Sequence, residues 1–134
     1  AHFGTFNGNP LAMAGVRAID RICTDEALEK AEAFNLQALN RIGDIIDEYQ
    51  LPAQTVGFGV KGCVTWSTTP VRNYRDYKAT DFGVAEAHWL FALNRGIITP
   101  PGLDEQWLIS LAHGQMEIDL LAEDFREFAI AIRA

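Results

Sequence analysis

Several features that would narrow the class of this protein are scarce in its sequence. The 134 residues include only two cysteines, Cys23 and Cys63, too few and too far apart for a disulfide framework or a paired-cysteine zinc motif. Basic residues are also few: 11 Lys and Arg face 18 Asp and Glu, which gives a net charge of −7. This balance excludes the basic patch typical of a nucleic-acid-binding domain.

Long apolar runs and targeting signals are absent as well. No run approaches the roughly 18 apolar residues that a membrane span needs, and no basic-then-apolar leader opens the sequence. We therefore expect neither a nucleic acid nor a membrane as partner. The scarce cysteines fit the reducing cytoplasm.

The overall composition is that of an ordinary globular domain. Apolar residues make up 49% of the chain and charged residues 22%, and 134 residues suffice for one domain with a real core. The sequence starts without Met, in a dense loop that contains two Gly, two Asn and a Pro within ten residues. We expect the chain to be a piece of a longer protein.

The periodicity predicts helices and strands in an order that separates the two. Apolar spacing of three and four indicates helices over 10–23, 24–51, 80–96 and 115–132. Alternation over 56–66 predicts a long strand, with a hairpin break at Lys61-Gly62 as the alternative. One face of this segment would be apolar and would hold Val56, Phe58, Val60, Gly62, Val64 and Trp66. Shorter strands are predicted at 96–99 and 107–111, and a loop at 67–78. The fold predicted is an α+β sandwich with a three- or four-stranded, mainly antiparallel sheet and helices on one face.

The loop from Phe3 to Pro10 is the best candidate site from the residues alone. Gly4 and Gly8 allow close backbone approach, Thr5 offers a hydroxyl, and the helix behind Pro10 presents its positive end. These features suit an anion such as phosphate. Plain turn chemistry explains the same pattern, and both readings stay open at this point.

Other polar residues give weaker signals. His2, His88 and His113 are too scattered to predict a metal site, and Cys63 has no base placed beside it. We interpret His88 as a packed core histidine and the three tryptophans as core or interface residues. Arg72 and Arg75 could bind a carboxylate, but loop arginines are more typical of exposed ion pairs. Glu105 stands where a site carboxylate would suit, and a solvated acid is the default interpretation.

Three blocks of the sequence resemble the class III, pyridoxal-phosphate-dependent aminotransferases. GTFNGNPLAMA at 4–14 is similar to their GT-x-x-GNP-LA-x-A segment, and NRGIITPP at 94–101 to a stretch of their small domain. Glu105 with SLAH at 110–113 resembles the branch that contains glutamate-1-semialdehyde 2,1-aminomutase. The order and spacing of the blocks agree with the C-terminal third of such a protein.

The resemblance assigns roles to particular residues. It implies that Thr5, supported by the backbone at Gly4, contacts the phosphate of pyridoxal phosphate held by the other subunit of a homodimer. It implies that Glu105 lies near an amino-acid substrate, although Gly102-Leu103-Asp104 and Leu108 depart from the family pattern and leave the substrate open. Residues 1–23 would form the phosphate loop and the start of an interface helix, and 24–134 the C-terminal small domain of fold type I aminotransferases.

The resemblance also implies that essential groups lie outside the chain. The lysine that holds the cofactor lies upstream of the GT segment in such proteins, and Lys30, Lys61 and Lys78 do not stand in its context. The aspartate that pairs with the pyridine nitrogen is upstream as well. We therefore expect no catalytic residue in this chain and no activity of the chain alone. The alternative is a stand-alone α+β module that binds a small anion or dimerises without catalysis.

Overall fold

The computed structural model describes residues 4, 6–100 and 106–133, and in them the predicted α+β fold is confirmed. The helices are α1 (Pro10–Ile22), α2 (Asp25–Glu48), α3 (Tyr74–Lys78), α4 (Phe82–Asn94) and α5 (Gln115–Ala131). The strands β1 (Gln54–Phe58), β2 (Lys61–Thr65) and β3 (Trp107–Leu108) form one antiparallel sheet in the order β1-β2-β3. No helix within these residues is long and apolar enough to cross a membrane.

The 56–66 segment is a hairpin, and its turn lies two residues earlier than the predicted break. Gly59 adopts a φ of +56° in the turn, and Phe58 pairs with Lys61. The turn therefore places the apolar residues of the two strands on opposite faces. Val64 is buried under the helices, whereas Val56 and Phe58 are exposed on the outer face of the sheet. The prediction of one shared apolar face was wrong because a turn inverts the alternation between its two strands.

Two further predictions are corrected by the local hydrogen bonding. The strand predicted at 96–99 is not formed, because Ile97 N–H donates back to Ala92 C=O (2.9 Å) and Gly96, with φ +87°, turns the chain at the end of α4. The short helix α3 occupies part of the predicted loop, since the Asn73 side chain accepts from the backbone N–H groups of Arg75 and Asp76.

The strand predicted over 107–111 is also shorter than expected. Ile109 N–H still donates to Val60 C=O (2.9 Å), but Ser110 N–H donates to the His113 Nδ1 atom at 3.0 Å. The His113 side chain thus accepts from the Ser110 N–H group, which a longer strand would have used to pair with its neighbour in the sheet.

The core lies between α2, α4, α5 and the inner face of the sheet. Trp66, Phe125 and Phe128 pack ring against ring, with centroids 5.7–6.1 Å from Trp66. His88 is buried among the same rings, 4.9 Å from Phe128, which confirms its interpretation as a packed core histidine. Trp66 and Trp107 are buried too, as predicted.

Asn35 joins α2 to the sheet through a buried set of hydrogen bonds. Its Nδ2 donates to the carbonyls of Gly59 and Lys61, both at 2.8 Å, and its Oδ1 accepts from Trp107 Nε1 at 2.7 Å. One side chain therefore fixes the β1–β2 turn and β3 against the long helix.

Candidate functional site

The candidate phosphate loop contains two glycines, and the structure favours glycine at each position for a different reason. Asn7 N–H donates to Gly4 C=O at 3.1 Å, and Asn9 N–H to Phe6 C=O at 3.2 Å. A Cβ added at Gly4 would lie 3.1 Å from the Asn7 side chain, and Gly8 has a φ of +80° that favours glycine. Gly4 is exposed, so its backbone is open to a ligand. Thr5 lies outside the described residues, so its phosphate role stays a prediction.

The loop leads directly into α1 as the sequence predicts. Asn9 is the N-cap and its Oδ1 accepts from Leu11 N–H at 2.8 Å, while Pro10 occupies the first turn. The cap satisfies one amide of the helix start and fixes the direction in which α1 leaves the loop.

Helix α1 has a pronounced apolar face that the described residues do not cover. Leu11, Ile19 and Ile22 lie on one side of the helix and are all exposed, Leu11 to 83%. None of the residues of α1 is buried. Phe6 in the preceding loop is 81% exposed. A helix with one apolar face normally buries that face against another element. Within the described residues, the apolar face of α1 thus has no element packed over it.

Glu105 also lies outside the described residues, so its substrate role is untested. Pro100 and Trp107, on either side of the undescribed stretch 101–105, line a groove of about 370 Å³. Its walls are the 97–100 loop, β3 and the first turns of α5, and Trp89 Nε1 holds that loop by donating to Thr99 C=O at 3.2 Å.

The remaining candidates do not form a second reactive centre. Lys30, Lys61 and Lys78 are exposed and lie on three different elements, α2, β2 and α3. Cys63 is half-buried on the outer face of the sheet. Among residues 4, 6–100 and 106–133, no group of three or more His, Cys, Asp or Glu side chains is arranged to hold a metal ion.

The most unusual ionisable group is one that the sequence pattern did not single out. Asp124 on α5 is 3% exposed, and its Oδ1 accepts from Arg95 Nε at 2.7 Å. Burial raises the pKa of the Asp124 carboxyl, and the hydrogen bond from Arg95 opposes that rise. The pair ties the end of α4 to α5. Its surroundings are the aromatic core, so we interpret it as structural.

Comparison with known proteins agrees with this description. The chain is 30% identical over 121 residues to a glutamate-1-semialdehyde 2,1-aminomutase of Brevibacillus brevis, covering 90% of this chain and 28% of that protein. Among solved structures, a transaminase with PLP bound is 25% identical to this chain and superposes with a TM-score of 0.80. The match covers all of this chain and 31% of the transaminase chain. No protein-family model matches the chain.

A third comparison extends the agreement in fold. A glutamate-1-semialdehyde aminomutase of Pseudomonas aeruginosa in complex with PMP superposes with a TM-score of 0.82 at 20% identity. The match covers 96% of this chain and 30% of the aminomutase chain. The chain thus spans less than a third of the length of the relatives it matches. The chain is therefore similar to a C-terminal segment of aminomutases and class III transaminases, as its motifs predicted, and the cofactor of those proteins is pyridoxal phosphate.

Proposed function

We propose that the chain is the C-terminal part of a pyridoxal-phosphate-dependent aminotransferase or aminomutase. The parent protein would move an amino group between an amino acid and a carbonyl compound. Residues 24–134 would be its small domain, and residues 1–23 an arm that reaches a partner subunit. The observation that carries this proposal is the similarity over 121 residues to an aminomutase of which this chain spans 28%. The exposed apolar face of α1, which follows a glycine loop, is consistent with an arm of that kind.

The loop would hold the phosphate of the cofactor bound to the other subunit of a homodimer. Bound pyridoxal phosphate supplies the electron withdrawal that the reaction needs. The Thr5 hydroxyl would donate to a phosphate oxygen, and the exposed backbone at Gly4 would let the group approach. Glu105 would lie near the amino-acid substrate, as the resemblance implies. None of Lys30, Lys61 and Lys78 would serve as the cofactor lysine, so the chain alone would be inactive.

Binding of the cofactor by the parent protein tests the loop directly. Replacing Thr5 with Val removes one charge-assisted hydrogen bond, which should weaken pyridoxal phosphate binding by roughly 10- to 150-fold in equilibrium dialysis. Thr5→Ser keeps the hydroxyl and is the matched control, for which near-normal affinity is expected. Equal affinity of the Val variant and the unaltered protein would remove the phosphate role.

A second experiment separates this proposal from a stand-alone module. Exposed apolar residues on α1 would equally suit a small protein that only dimerises or binds an anion. The 134-residue chain mixed with pyridoxal phosphate should retain no cofactor after dialysis and transfer no amino group from any amino acid. Turnover by the chain alone would contradict the assignment as a C-terminal part.

A further inference from the structure

A second cavity shares His113 with the groove lined by Pro100 and Trp107. Its volume is about 310 Å³, within the range of small-molecule sites. We call it the helix-junction groove, because Ile22 at the end of α1 and Ala31 and Phe34 on α2 form one wall. The opposite wall is the loop of Ser110, Leu111 and His113 that leads into α5.

The helix-junction groove is lined by both apolar and ionisable side chains. Ala31 is buried and Phe34 half-buried, so the wall that they form is apolar. Lys30 and His113 are the ionisable side chains that line it among the described residues. Lys30 lies over the Phe34 ring, 5.9 Å from its centroid. It takes part in none of the ion pairs among the described residues. The groove therefore combines an apolar wall with a cation that has no carboxylate partner there.

His113 is held in a form that makes it a donor. Its Nδ1 accepts from Ser110 N–H at 3.0 Å, so in the neutral ring the proton is on Nε2. His113 N–H in turn donates to Ser110 C=O at 3.1 Å, which closes the loop on itself. The neighbouring carboxylate of Glu117 accepts from Gly114 N–H at 2.8 Å and lines the other cavity. Its pKa is lowered by this hydrogen bond and, to a smaller extent, by attraction to His113.

We propose that the helix-junction groove binds a small carboxylate with an apolar tail. The carboxylate would lie between the Lys30 ammonium and the His113 Nε2–H, and the tail would cover Ala31, Phe34 and Leu111. Charge complementarity selects an anion over a cation of the same size, and the apolar wall selects a longer tail over a shorter one. The site is independent of the cofactor role proposed above.

Titration with hexanoate, followed through the backbone amide signals of Ser110 and His113 in NMR spectra, tests the site in the unmodified chain. We expect saturable binding that weakens by up to about fourfold for each methylene removed toward acetate. Hexylamine, with the same tail and the opposite charge, should not shift these signals. Hexanol binding as tightly as hexanoate would overturn the proposal, because the cavity would then recognise only the tail.

The charge requirement is tested by a pair of lysine variants. Lys30→Met keeps the apolar stem and should weaken hexanoate binding by about threefold to fivefold, the range for a solvated charge contact. Lys61→Met is the matched control, since Lys61 is also exposed but lies on β2 outside the groove. An unchanged dissociation constant for Lys30→Met, or an equal loss for Lys61→Met, would overturn the proposal. Circular dichroism of both variants checks that each remains folded.

Discussion

Replacing Asn35 tests whether one buried amide fixes the sheet on the long helix. The side chain is 1% exposed and makes three hydrogen bonds of 2.7–2.8 Å, to two backbone carbonyls and to the Trp107 indole. Asn35→Ala removes all three and leaves the indole N–H buried without its acceptor. At about 1 kcal/mol for each bond, with a further penalty for the stranded donor, the variant should lose about 3–5 kcal/mol of unfolding free energy. That is a large part of the stability of an ordinary domain.

Urea unfolding, followed by circular dichroism and by tryptophan fluorescence, measures the loss. Asn40→Ala is the matched control, because Asn40 lies on the same helix and is exposed. Its expected effect is within about 0.5 kcal/mol of zero, as for most surface substitutions. Asn35→Asp should be at least as damaging as Asn35→Ala, since it turns a carboxylate oxygen toward two carbonyl oxygens. A loss below 1 kcal/mol for Asn35→Ala at an unchanged urea dependence would refute the reasoning.

Three further predictions concern the packing, the buried acid and the exposed helix. Gly62→Ala should destabilise the fold by about 1–3 kcal/mol in urea unfolding, since its Cβ would lie 2.4 Å from the β3 indole, whereas Gly15→Ala in open space on α1 should not. The pKa of Asp124 is raised by burial, so the folded state binds its proton more tightly and stability should rise as pH falls from 7 through that pKa. Denaturant unfolding of Asp124→Asn should not show this rise in stability at low pH. A pH profile of stability identical to that of the unaltered chain would contradict the prediction. The unaltered chain should self-associate through α1, and Leu11→Lys with Ile19→Lys should shift sedimentation toward the 14.9 kDa monomer; association unaffected by these changes would exclude the α1 face.

The candidate site was accessible from the sequence only through its local motifs. The turn at Gly4 and Gly8, with Asn9 and Pro10 opening α1, depends on neighbouring residues, so its chemistry could be read in order along the chain. The relation between Lys30 and His113 could not be predicted in this way. One is on α2 and the other precedes α5, and only the packing of the folded chain places both on one cavity.

The sequence by itself determined the elements whose signals are local. Asn9, Thr24, Asp81 and the long apolar stripe of α2 specify caps and a buried face, because hydrogen bonds and contacts within a few residues decide them. The resemblance to the aminotransferases was likewise carried by three short blocks of neighbouring residues. Tertiary structure decided where the hairpin turns and which face of each strand is buried. Alternation looks the same whether a chain continues straight or folds back on itself, and the long-range bonds of Asn35 and the Gly62–Trp107 contact select the register.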